Sequence, residues 1–69
     1  MENRDELYRL RAAYQQALVS YERVCSALDR PLRAGMQPSD EDLQHEQDAR
    51  GALTTARRLY REALTSPRR

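Results

Sequence analysis

Seven residues in the first part of the chain, Leu7, Leu10, Tyr14, Ala17, Tyr21, Val24 and Leu28, follow one another at alternating steps of three and four. That spacing lays a continuous apolar seam along one side of an α-helix. It predicts a helix from about residue 3 to 29. Ala49, Leu53, Ala56, Tyr60 and Ala63 repeat the spacing and predict a second helix from about residue 40 to 65. Neither stretch shows the two-residue alternation of a half-buried strand. Between them lies RPLRAGMQP, residues 30–38. Pro31 is expected to stop the first helix, Gly35 to break the connection and Pro38 to precede the second helix. Ser39 is placed to cap the second helix, with Asp42 three residues on in capping-box spacing. Asp40, Glu41 and Asp42 set negative charge against the positive end of the helix dipole, whereas Arg57, Arg58 and Arg61 lie toward its negative end. The last four residues, 66–69, are expected to fray.

A short joint makes the two helices antiparallel neighbours. With the turn near Gly35, residue numbers that face each other should total about 70. Leu7 then faces Ala63, Leu10 faces Tyr60, Tyr14 faces Ala56, Ala17 faces Leu53 and Tyr21 faces Ala49. Large meets small at four of these five levels, all but Leu10 and Tyr60, which suits close packing because a bulky side chain needs a shallow hole opposite it. The expected fold is therefore all-α: one two-helix antiparallel hairpin, coiled-coil-like, filling residues 1–69 as a single domain. Both stripes are wider than one contact requires. Leu18, Cys25, Leu59 and Leu64 fall on their flanks, and Tyr8 lies off the seam. These five are the candidate interface. A protein partner would cover them, either a second copy, giving a homodimer that forms a four-helix bundle, or a different protein.

Composition narrows the classes further. A chain of 69 residues is marginal as an isolated domain. Cys25 is the single cysteine, which excludes a disulfide-stapled fold. No stretch approaches the roughly 18 apolar residues of a membrane span. The opening MENRDELYRL is too charged for a signal peptide, so a cytoplasmic location is expected. Net charge is +1, without the basic excess usual in nucleic-acid binders. All 12 basic residues are arginine, each able to pair in bidentate fashion with carboxylate or phosphate.

The chemistry-bearing residues cluster in DEDLQHEQD, residues 40–48. Asp42 and His45 have a carboxylate-x-x-His spacing, and the register sets His45 near Cys25. Three readings follow: metal binding by Asp42 and His45, a zinc site from two Cys25 and two His45 in a symmetric dimer, or a Cys–His nucleophile and base. A hairpin offers neither a concave pocket nor oxyanion donors, so catalysis is not expected. Inward carboxylates from several helices are what bundles use to hold metal, and Glu22 sits off the seam. The preferred reading is an acidic helix start with His45 at the stripe edge, and no catalytic residue, metal or cofactor is expected. Beyond it the charge reverses. Residues 40–48 carry five acids and no arginine, and residues 49–69 carry six arginines and one acid. Arg57, Arg58 and Arg61 are candidate contacts for an anionic partner. A solvated face is the preferred reading, because no aromatic residue interleaves with them.

YQQALVSYERVCSALDRP looks locally like one helix of a tetratricopeptide repeat, but that repeat of 34 residues has helices about half as long. In layout the chain is similar to the small co-chaperone subunits of the type III secretion needle chaperones. Their joint resembles RAGMQP, and the glutamine-rich opening of their second helix resembles LQHEQDARGAL. The PSDED start departs from that pattern. The resemblance implies a hairpin that binds a helical-repeat chaperone and helps hold a needle subunit unpolymerised.

Overall fold

The second helix begins where Ser39 can serve it. The Asp42 N–H donates to Ser39 Oγ at 3.1 Å, and the Leu43 N–H closes the first turn on the Ser39 carbonyl at 3.0 Å. Helix α2 runs Asp40–Thr65, with Asp40, Glu41 and Asp42 in its first turn. Helix α1 runs Glu2–Arg33. The computed structural model describes residues 2–65, with side chains for 4–65; the expected fraying of 66–69 lies outside the described residues. The two helices pack as an antiparallel hairpin measuring 54 × 15 × 13 Å.

The end of α1 corrects the expectation placed on Pro31. The helix passes through that proline and stops at Arg33, not Asp29. Pro31 gives up one hydrogen bond, to the carbonyl of Ala27. It takes the seam position after Leu28, where it is half-buried. Closure comes later, at Gly35, whose φ of 75° lies in the left-handed region. The Met36 N–H donates to the Pro31 carbonyl at 2.8 Å, and the Gly35 N–H donates to the Leu32 carbonyl at 3.1 Å. These two bonds form a Schellman cap, which satisfies carbonyls the helix end would otherwise leave open.

The two glycines therefore predict opposite outcomes for the same substitution. A Cβ at Gly35 or at Gly51 would meet nothing within 4 Å, so sterics beyond the backbone play no part. Gly35→Ala forces an alanine into the left-handed region and should cost about 1–2 kcal/mol. Gly51→Ala, in the interior of α2, should stabilise by about 0.5–1 kcal/mol. Thermal melts of the two variants should move in opposite directions from the parent.

All the predicted seam residues are half-buried, from Leu7 to Leu28 on α1 and from Ala49 to Ala63 on α2. Among the described residues none is fully buried, so the core is a seam open along both edges. On α2 the same spacing, extended backward from Ala49, takes in Glu46 and Asp42, both half-buried. The α2 side of the seam thus has only Leu53 and Tyr60 as large apolar residues. Two cross-helix contacts locate the register. The Tyr14 and Tyr60 rings lie 6.0 Å apart at 30°, and the Tyr21 hydroxyl meets Glu46. The residue numbers of these pairs total 74 and 67, either side of the predicted 70. Helical side chains lean toward the N-terminus of their own helix, so in an antiparallel pair Tyr14 and Tyr60 lean toward each other. Two large side chains thus meet, where the predicted register sets Tyr14 against Ala56 and Tyr60 against Leu10.

Candidate interaction surface

Successive residues of a helix are turned by about 100°. The positions one step past the seam therefore form two flanks. Reversing the direction of the second helix keeps like flanks on one side of the hairpin. On the first side stand Leu18, Cys25 and Leu32 of α1, with Leu43 and Leu64 of α2. Leu18 is 37% exposed, Leu43 46%, and Leu32 and Leu64 57% each. Cys25 is half-buried and unpaired. Tyr8, 62% exposed, borders this flank. Of the five predicted interface residues, Leu59 stands apart: it is exposed on the opposite flank, among Ala13, Ala27 and Ala52. Leu32 and Leu43 were absent from the predicted set. Heptad steps reveal both, since Leu32 is seven residues beyond Cys25 and Leu43 is three heptads before Leu64.

At mid-seam the first flank holds a polar cluster. The Tyr21 hydroxyl donates to Glu46 Oε2 at 3.0 Å, and Arg50 reaches Glu46 Oε1 at 3.0 Å. The Glu46 side chain is only 18% exposed, so these partners matter to it. The Cys25 thiol beside Tyr21, and then the Glu46 carboxylate, favour the neutral phenol, and the Tyr21 pKa is pushed up to about 12. A folded pKa above the unfolded value of about 10 stabilises the fold below pH 10. That contribution fades as pH rises from about 10 through 12. Alkaline titration of phenolate absorbance should show a late component near pH 12, and Tyr21→Phe should remove it.

His45 and Cys25 share a level of the hairpin but stand on opposite flanks. One dimer interface therefore cannot gather both pairs into a four-ligand site. Asp42 is half-buried in the seam while His45 is exposed. Among the described residues no group of three or more His, Cys, Asp or Glu side chains is placed to share a metal ion. The predicted arginine cluster is brought together: Arg57, Arg58 and Arg61 line one shallow cleft with Thr54 and Glu62. Arg68 and Arg69, beyond it in sequence, lie outside the described residues. No helix among the described residues is long and apolar enough to cross a membrane.

No family model, curated protein or solved structure matches the chain.

Proposed function

We propose that this chain is a non-enzymatic protein-interaction module, adaptor- or co-chaperone-like and cytoplasmic, that docks through the flank bearing Leu18, Cys25, Leu32, Leu43 and Leu64. The observation that carries the reading is the exposure of four leucines along one side of a hairpin in which no described residue is buried. Exposed apolar side chains aligned on one side favour a covered state, at about 25 cal/mol per Å² removed from water. The layout similarity to needle co-chaperone subunits, in RAGMQP and LQHEQDARGAL, supports the co-chaperone half of the reading and suggests a helical-repeat partner. Protein capture from host extract should survive high salt with the parent and fail with Leu18→Glu/Leu43→Glu, provided the variant keeps its helical circular dichroism. Equal capture by both would overturn the docking surface.

The second reading is a homodimeric bundle that binds nucleic acid through Arg57, Arg58 and Arg61, and the shared cleft of those three residues favours it. Salt separates the two readings. Phosphate contacts weaken steeply between low and physiological salt, whereas apolar docking does not.

A further inference from the structure

We propose that the chain forms a symmetric dimer in which the leucine flank packs on its own counterpart end over end, with the joint of one copy above the open end of the other. The proposal rests on the interaction-module reading and names the partner: a second copy of this chain.

Surface area gives the first reason. A compact monomer of 8.1 kDa exposes about 4,500 Å², and this chain exposes 5917 Å². The excess of about 1,400 Å² belongs to the whole 54 × 15 × 13 Å rod, and the leucine flank is one long side of it.

Charge gives the second reason and sets the orientation. On the leucine flank and its border, the acids Glu22, Asp29 and Asp40 occupy the joint half. Arg11, Arg57 and Arg61 occupy the open half. A two-fold interface presents the same patch on both copies, so the patch must complement itself. A two-fold axis lying across the long dimension does this. It sets Asp29, which also holds an exposed ion pair with Arg33 on its own helix at 3.5 Å, over the second copy's Arg11 and Asp40 over its Arg61, each pair occurring twice. Leu18 then lies near the axis and meets its own counterpart. Arg50 also falls near the axis, and Glu46 on its own helix already neutralises it at 3.0 Å. The alternative axis, along the long dimension, stacks joint on joint. It would place Asp29 beside Asp40 and Arg11 beside Arg57 and Arg61, like charge on like. The charge pattern therefore selects the end-over-end arrangement.

Sedimentation over a dilution series from about 1 to 200 µM should show reversible dimerisation. Leu18→Glu should raise Kd at least about a hundredfold while circular dichroism stays helical. Asp29→Arg or Arg11→Asp alone should raise Kd about tenfold, and the two together should restore it. Orientation is read separately, from spin labels on Gln37→Cys in a Cys25→Ser background. End-over-end packing separates the two labels by most of the 54 Å length, whereas joint-on-joint packing brings them within about 20 Å, two helix spacings. A short label distance, or a double charge reversal that does not recover, overturns the proposal. So does a parent that stays monomeric throughout. In that last case the interaction-module reading still stands, because salt-resistant capture of another protein tests it independently.

Discussion

Leu53→Asp is expected to unfold the hairpin. Leu53 sits at mid-seam on α2, between Ala49 and Ala56, and is half-buried. Tyr60 is the only other large apolar residue that α2 brings to the seam. The joint end of that seam is already polar at Glu46 and Asp42. Glu46 is tolerated because Tyr21 and Arg50 bind its two oxygens. In the predicted register an aspartate at 53 would face Ala17, which offers no donor. An unpaired charge in such a place costs upward of about 3 kcal/mol. A core this small rarely supplies more than about 3–5 kcal/mol in total. Helical circular dichroism at 222 nm should therefore fall by more than half at room temperature. Leu59→Asp is the control: the same substitution six residues along, on an exposed flank, should leave the signal unchanged at concentrations where the chain is monomeric. A folded, cooperatively melting Leu53→Asp variant would show that the seam does not hold the helices together.

The contrast between these two leucines shows what could be read from the sequence. The seam was legible because a heptad repeat leaves few choices: Leu7 through Leu28 and Ala49 through Ala63 are all half-buried. The start of α2 was legible from Ser39, whose hydroxyl has one natural use at that place. Three features are not legible in the sequence, each for a physical reason. Pro31 looked like a stop because proline breaks helix hydrogen bonding, but packing at the next seam position carried the helix on to the Schellman cap at Gly35. Apolarity alone does not mark Glu46 and Asp42, although the heptad spacing continues through them. The two flanks are not separable from spacing alone, because residues near a seam look alike in one dimension. Only the antiparallel geometry assigns Leu18 and Leu64 to one side and Leu59 to the other. The same geometry separates His45 from Cys25, although their numbers total 70.

Ala56→Leu should destabilise the hairpin by about 1–3 kcal/mol, the usual cost of overpacking. In the predicted register Ala56 faces Tyr14, and the Tyr60 ring leans back over the same level to lie 6.0 Å from the Tyr14 ring. The small residue is what leaves room for that aromatic pair. A leucine there has two ways to fit, and both are costly. It can displace the rings toward the open edge of the seam, which returns apolar area to water and loses an aromatic contact worth about 0.5–1.5 kcal/mol. Or it can push α2 away from α1 at that level, which loosens the neighbouring Leu10 and Leu53. For a domain of this size each kcal/mol lowers Tm by roughly 4–8 °C, so a thermal melt resolves the effect easily. Tyr60→Ala in the same background distinguishes the two routes. If ring displacement dominates, the double variant should be less destabilised than the sum of the single changes, because the leucine then occupies space the ring has vacated. Additive losses would point to separation of the helices. A single Ala56→Leu variant that melts at or above the parent would mean that Tyr14 does not fill the space over residue 56, and that the helices pair in a different register.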